Sequence, residues 1–469
     1  MIHQPRPSFG LLASGLAAAL LVGACASPPV YEKPAIALPL AFKESGLWKT
    51  ARGNVANVTD QWWQLFNDTV LNDLQTQLVV GNENLKASAA LVQVARVALD
   101  SSRAGGAPTL GVSAGLTHSV TPGALVPTTS NSLAGSASWE LDLWGRVAGA
   151  VTASEARLLA SSADLAAARL SMQALLTQTY FSLRSAEAQA AILQRSVVAL
   201  QRSLELTQNR YSAGIISAAD VTQATTQLRS TQAQLVEAQS SRAQLEHAIA
   251  TLLGKPAAAF DLVRTAALPQ VPSVPLQLPS SLLERRPDIA AASARVAAAH
   301  AQIGIAQSAL FPAITLSGSL GFRGPELLDL IKAPNLFWSF GPSLALGLFD
   351  GGARQAGVDS AKASIEQVAA NYRQTVLTAF QEVEDNLVAA ASLEEQIVLQ
   401  SDAQKAAERN LEISNNQYRA GTVSYLNVVT AQATALGSER TLLDLRNRRL
   451  NATAVLLKNL GGRWEGVGF

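Results

Sequence analysis

The sequence predicts an α+β membrane protein in which one unit is used twice: a helix, a strand hairpin, a long helix, a tight turn and a returning helix. Three observations carry this. Leu204–Gly254 and Leu411–Gly461 align without a gap, with Tyr211 falling on Tyr418, 207 residues on. None of the 19 prolines lies between Pro127 and Pro256 or after Pro342, so two long tracts are free of the residue that breaks helix interiors. After Pro108 and again after Pro312, the apolar period changes from about 3.6 to 2, the signature of strands.

Within the aligned stretches, "LELTQNRYSAGIISAADVTQA" matches "LEISNNQYRAGTVSYLNVVTA" at Asn209/Asn416, Gly214/Gly421, Ser217/Ser424 and Val221/Val428, and on to Gly254/Gly461. Each is a helical hairpin. Gly214 or Gly421 can take the left-handed conformation that ends a helix, and Ser217 or Ser424 can cap the next. A single such turn would be an ordinary helix connection. Two at one spacing imply a duplicated unit of roughly 200 residues.

Net charge is +1 and charged residues make up 15%, low for a soluble protein, with no basic face to suggest nucleic acid. The 48% hydrophobic content contains only 5% aromatics, so the excess is Ala, Val and Leu, which suits close-packed helices. One Cys excludes an intrachain disulfide.

Residues 1–24 form an export signal, with Arg6 before the apolar run Phe9–Gly23, which at 15 residues is short for a membrane span. The run ends in Val22-Gly23-Ala24-Cys25, which resembles the bacterial lipoprotein signal; a plain secretory signal with an incidental Cys is the alternative. Lipidation of Cys25 would anchor the chain without spanning the bilayer. Ala26 follows, not the Asp that tends to retain such lipoproteins at the inner membrane. Residues 25–60 are Pro-rich and irregular, a lipidated extended tether.

The first repeat is placed at 61–260. Trp62, Trp63, Leu65 and Phe66 are expected to form a packing cluster, and Leu71–Arg103 a helix broken near Gly81-Asn82. Strands are expected over Thr109–His118 and Ser132–Leu143, with Leu110, Val112, Leu133, Trp139 and Leu141 on one face and Ser113, Ser136 and Glu140 on the other. A barrel wall fits this alternation, as does a soluble sandwich hairpin. A Pro-rich linker, 261–284, leads to the second repeat, 285–469. There "FPAITLSGSLGF" and "LFWSFGPSLALGLFDGG" repeat the strand pair. The helical tracts Arg146–Tyr211 and Ala353–Tyr418 would each reach about 100 Å. Ile365, Val368, Tyr372, Val376, Phe380, Val383 and Leu387 form a coiled-coil-like seam along the second.

The chain resembles the TolC-like outer-membrane efflux proteins, and within them the lipidated outer-membrane factors of tripartite RND pumps, the NodT/OprM-type group. The most specific stretch is Leu278–Gly321, with Arg285-Arg286-Pro287-Asp288 and Phe311-Pro312; Trp139–Gly145, Ala379–Glu384 and Leu460-Gly461-Gly462 add to it. The resemblance implies a homotrimer, each protomer giving four strands to one 12-stranded transmembrane barrel continued by a long periplasmic α-helical barrel. Physics agrees, because four strands cannot close a barrel and an open edge in lipid is costly. The linker, Trp62–Phe66 and the C-terminal "GGRWEGVGF" would form a belt outside the helices.

The resemblance further implies an outer-membrane exit duct with a periplasmic membrane-fusion adaptor and an inner-membrane RND-type transporter as partners, and no cofactor. An outer-membrane channel for type I protein secretion or heavy-metal export is the alternative. Gly214, Ile215, Ser217, Gly421, Thr422, Val423 and Ser424 become adaptor-contact candidates at the hairpin tips. Tyr418, Leu426 and Thr430 become gate candidates, Leu426 as a constricting ring with Val428 and Val429 following it. Helix packing is the other reading of Leu426. Relatives can carry Arg beside that tyrosine and Asp four residues after that leucine; Gln417 and Thr430 here leave closure to an apolar ring and polar contacts.

An enzyme is the second class weighed. His3, His118, His247 and His300 show no metal spacing, and no nucleophile elbow, phosphate loop or HExxH is present. Glu140 and Asp142 are expected in the lumen. A coiled-coil scaffold lipoprotein, the third class, explains the helices but not four amphipathic strands.

Overall fold

The computed structural model describes residues 34–35, 43, 61–120, 127–272 and 286–460. The 1–24 signal, Cys25, nearly all of the 25–60 tether, residues 273–285 of the linker and motif, and the 461–469 end lie outside the described residues.

After a 3-10 turn at Trp62–Phe66, helix α1 spans Thr69–Gly81. The Asp68 carboxylate starts it by accepting the Leu71 N–H at 3.0 Å. The break expected near Gly81-Asn82 is there. Asn82 is buried; its side-chain oxygen accepts the Leu85 N–H at 3.0 Å, opening α2 (Glu83–Ala104), and its amide donates to the Leu252 carbonyl at 2.7 Å. A Cβ on Gly81 would stand 2.2 Å from the Leu253 oxygen, so only glycine permits this approach.

Strands β1 (Thr109–Ser119), β2 (Thr128–Glu140), β3 (Ala313–Gly324) and β4 (Leu336–Ala345) form one antiparallel sheet in the order β1-β2-β3-β4. Its register sorts side chains into rows. Ala114, Leu133, Phe322 and Leu336 lie side by side, as do Leu110, Ala137, Gly318 and Phe340. Between them runs Gly111, Ser136, Ser319 and Ser339, with the last two hydroxyls 2.8 Å apart. The apolar face is uncovered: Leu110, Val112, Leu116, Trp338, Phe340 and Leu344 are all exposed. Two strand ends differ from expectation. β2 starts earlier and stops at Glu140, and β4 stops at Ala345, so Leu141, Leu143, Leu346 and Leu348 lie beyond the strands. The reason is capping: Asp142 accepts the Val147 and Ala148 N–H groups at 2.9 and 2.7 Å, and Asp350 accepts those of Gly352 and Arg354 at 3.0 and 3.2 Å. Each carboxylate commits the chain to a helix start; before Asp142 the Leu141 N–H still donates to the Ile314 carbonyl of β3 at 2.9 Å.

Helices α3 (Arg146–Ser212) and α6 (Ala353–Arg419) are 67 residues each and return through α4 (Ala218–Leu252) and α7 (Tyr425–Leu460). The expected seam along α6 is present: Tyr372, Val376, Val383 and Leu387 are buried. Helix α5 (Pro287–Ser308) begins on Pro287, as its fixed φ allows. No described helix is long and apolar enough to cross a membrane.

The chain divides into two units, each assembled from both repeats. One contains Leu91–Ser161 and Ala291–Arg373 and holds the sheet. In it Trp144 stacks on Phe311 at 4.9 Å and donates to the Pro312 carbonyl at 2.6 Å, which joins two of the motifs named above. The other contains Ile36–Ala90, Ser162–Ala290 and Gln374–Phe469. Its main core gathers Trp62, Trp63, Phe66, Leu71, Phe181, Ile249, Val383 and Leu457, with Leu262 of the linker. Leu65, expected in that cluster, is instead 38% exposed, pointing away from it.

Candidate functional site at the hairpin tips

Both helical hairpins turn on a glycine with positive φ, 74° at Gly214 and 77° at Gly421. The Ile215 N–H donates to the Arg210 carbonyl at 2.9 Å, and the Thr422 N–H to the Gln417 carbonyl at 3.0 Å. These close the two ends in the same way and satisfy carbonyls the helix leaves free. Ser217 stands at the N-cap of α4 in extended conformation, and the Asp220 carboxylate reaches back to its N–H at 3.3 Å. The second turn has Asn427 at the corresponding position.

Gly214, Ile215, Ser217, Gly421, Thr422 and Ser424 are exposed together on the two turns, while Val423 is half-buried against the tip core. That core contains Ala224, Tyr418, Tyr425, Val428 and Val429. The tyrosine rings lie 5.3 Å apart. The Tyr425 hydroxyl is 3.1 Å from the Ser203 hydroxyl, and burial pushes its phenol above the ordinary value. The Tyr418 hydroxyl is buried with no partner among the described residues. Val428 and Val429, expected to line a constriction beside Leu426, are enclosed in this core instead, because α7 turns them toward α3 and α4. Leu426 is 59% exposed, so packing within the protomer does not account for it. Thr430, one helical turn on, is also exposed, and its hydroxyl donates to the Leu426 carbonyl at 2.9 Å.

Gln417 brings no charge to Tyr418 from the preceding position, but a guanidinium arrives from the other hairpin. Arg210 lies 4.7 Å from the Tyr418 ring centre and donates to the Tyr418 and Arg419 carbonyls at 3.0 and 3.1 Å. One side chain thus caps the α6 C-terminus and holds the tyrosine. Only the repeat offset, which sets Arg210 against Gln417, could have signalled it.

Two further clusters escaped the sequence reading. Arg184, Glu187, Arg242 and Glu246 form a buried network, with Arg184–Glu187 at 2.7 Å, Arg242–Glu187 at 3.2 Å and Arg242–Glu246 at 2.5 Å. It clasps the linker: Arg242 donates to the Leu262 carbonyl, Arg184 to that of Val263, and Glu246 and Glu187 accept the Leu262 and Thr265 N–H groups. Arg286 is buried and forks onto Asp288 at 2.7 and 3.1 Å while reaching Glu382 at 3.0 Å, which ties one motif to the other. Burial alone would raise the Asp288 carboxyl, but the Arg286 fork outweighs it and holds the group below its ordinary value. Glu140 and Asp142 are likewise committed, the first to a two-pronged pair with Arg146 at 2.6 and 2.7 Å, the second to the α3 cap. No metal-binding group of His, Cys, Asp and Glu occurs among the described residues.

Comparison with known proteins places this geometry. The profile of the outer membrane efflux protein family matches residues 74–255 and 278–462. The chain is 32% identical to outer membrane protein OprJ of Pseudomonas aeruginosa, over 98% of this chain and 97% of that one. It is 30% identical to the cation efflux system protein CusC of Escherichia coli, over 95% and 97%. The solved outer-membrane channel OprN superposes with a TM-score of 0.86 at 29% identity, covering 94% of this chain and all of that one. The chain belongs to the outer membrane efflux protein family, and it is an efflux channel of the outer membrane.

Proposed function

We propose that three copies of this chain form the exit duct of a tripartite efflux pump. Each gives its four strands to one closed 12-stranded barrel, and the paired long helices continue it as a periplasmic tunnel. The observation that carries this is the sheet: β1 and β4 are edges, one face is apolar and exposed, and the other is lined by Ser and Thr. An open edge in hydrocarbon leaves backbone groups unpaired, and joining β1 of one copy to β4 of the next removes it. Transport through it is passive, a conduit rather than a catalyst.

The tips meet a periplasmic adaptor through the exposed residues of both turns, Gly214, Ile215, Ser217, Gly421, Thr422 and Ser424, with Val423 behind them. An inner-membrane RND-type transporter supplies cargo. Leu426 is the constricting side chain, Thr430 lies beside it, and Tyr418 supports them from the core. Cys25 carries the lipid that anchors the 25–60 tether, and the repeats run over 61–260 and 285–469. The test is the assembled particle. Detergent-extracted protein sediments at three chain masses and conducts in planar bilayers. A stable monomer with a closed barrel, or a trimer without conductance, overturns the reading.

A further inference from the structure

The strand register measures how much lipid the apolar wall can cover. On β3 the outward apolar rows run from Ile314 to Phe322. That is ~26 Å of strand, which a tilt of ~40° lowers to ~20 Å, short of the ~25 Å apolar band of outer-membrane barrels. In the next row toward the end remote from the helices, Leu116 of β1 is still apolar, but β2 and β3 offer Asn131 and Gly324, one polar and one without a side chain.

The β3–β4 loop stands over this gap. Asn131 occupies a row of the apolar face yet is 4% exposed, because the loop crosses it there: its amide donates to the Pro325 carbonyl at 2.8 Å. The loop keeps its own fold, with Leu330 buried and the Asn335 amide donating to the Asp329 carbonyl at 2.8 Å. Three large apolar side chains project from it, Leu327 at 71%, Leu328 at 98% and Ile331 at 70% exposed, beside exposed Glu326 and the Lys332–Asp329 pair at 2.7 Å. Three such side chains on a loop tip are costly in water.

We propose that residues 325–332 are a lipid-contacting rim that completes the apolar band, with Leu327, Leu328 and Ile331 among the acyl chains of the outer leaflet. The inference rests on the barrel reading above. Continuity with the apolar sheet face selects lipid over a protein partner, since the loop extends that face instead of folding over the polar one.

The test places a spin label at Leu328→Cys in full-length protein reconstituted in phospholipid vesicles and compares collisions with oxygen, which enters lipid, and with a water-soluble nickel chelate. Val112→Cys on the apolar face and Ser113→Cys on the polar face are the references, and the parent chain corrects for any label at Cys25. The rim predicts that position 328 matches 112, oxygen-accessible and shielded from nickel. Nickel access like that of 113, while 112 stays lipid-like, overturns the rim alone. Shielding from both reagents means a neighbouring protomer covers the loop and also overturns it. A nickel-accessible 112 overturns the barrel and the rim together.

Discussion

The two hairpin tips share a backbone and differ in what they hold. Gly214 is followed by Ala218-Ala219, and Gly421 by Tyr425-Leu426 at the same spacing. Tyr425 is 1% exposed and fills the tip core, while Leu426 projects outward. The tyrosines invert as well: Tyr211 is 50% exposed and Tyr418 is 5%. The first hairpin contributes the clamp, Arg210, and the second the bulk it clamps. Further along the same helices the balance reverses. Glu187 and Arg242 of the first repeat correspond to Glu394 and Arg449 of the second; the first pair is buried, whereas the second, at 3.3 Å, leaves Glu394 59% exposed. Ala391 and Thr453 stand where the first repeat has Arg184 and Glu246. The two hairpins share one backbone course, and each places its polar and bulky residues differently. The first fastens the linker, and the second carries the gate candidates.

The largest effect should come from the buried network. Glu187→Ala leaves the buried Arg184 guanidinium without a carboxylate and Arg242 with Glu246 alone, and should cost about 3–5 kcal/mol. Glu394→Ala, its counterpart, should cost about 0–1 kcal/mol. Denaturant melts of the two variants side by side decide whether the copies differ as described; equal losses would erase the contrast.

The tip tyrosines give a smaller and sharper pair. Tyr425→Phe loses the contact with Ser203 and should cost about 1 kcal/mol. Tyr418→Phe removes a hydroxyl that is buried without a partner among the described residues, so stability should hold or rise by up to about 1 kcal/mol. Arg210→Gln, which makes the first tip resemble the second, should loosen Tyr418 and be seen as raised hydrogen exchange at the end of α6.

Acid should act on the second repeat through Asp288. Its folded pKa lies below the ordinary aspartate value, so the Arg286 fork stabilises fully above the unfolded pKa, near 4. That contribution is lost as pH falls through the lower, folded value. Asp288→Asn should flatten the acid limb of a stability–pH curve below about pH 4 and leave the neutral region parallel to it. An unchanged acid limb would mean the fork contributes nothing.

Least affected in stability, and most in function, should be Leu426→Ala. An exposed side chain typically changes stability by less than about 0.5 kcal/mol. If Leu426 forms the constriction proposed above, the same truncation widens it, and single-channel conductance should rise at normal trimer yield. Ala219→Leu, its mirror in the first repeat, tests whether bulk at the other tip narrows the pore. Unchanged conductance in Leu426→Ala would release it from the gate.

Element type and order were legible in the residues, for local reasons. Proline-free tracts, a period of two, glycine at a helix end and an offset repeat are properties of neighbours in sequence, and they located all four strands, both long helices and both turns. The strand ends were less legible, because Asp142 and Asp350 act on amides several residues ahead and nothing in the alternation itself marks where it stops. Side-chain fate at the tip was decided by tertiary structure alone. Leu426, Val428 and Val429 look alike in sequence, yet one is exposed and two are enclosed. The helices are rich in Ala, Ser, Gln and Thr and are contacted on more than one side, so no single apolar stripe announces the buried face. The charge network was hidden for a related reason. Arg184–Glu187 and Arg242–Glu246, at spacings of three and four, have the pattern of solvated surface pairs. Only the approach of α3, α4 and the linker removes their water, and sequence spacing holds no record of an approach between segments some 55 to 80 residues apart.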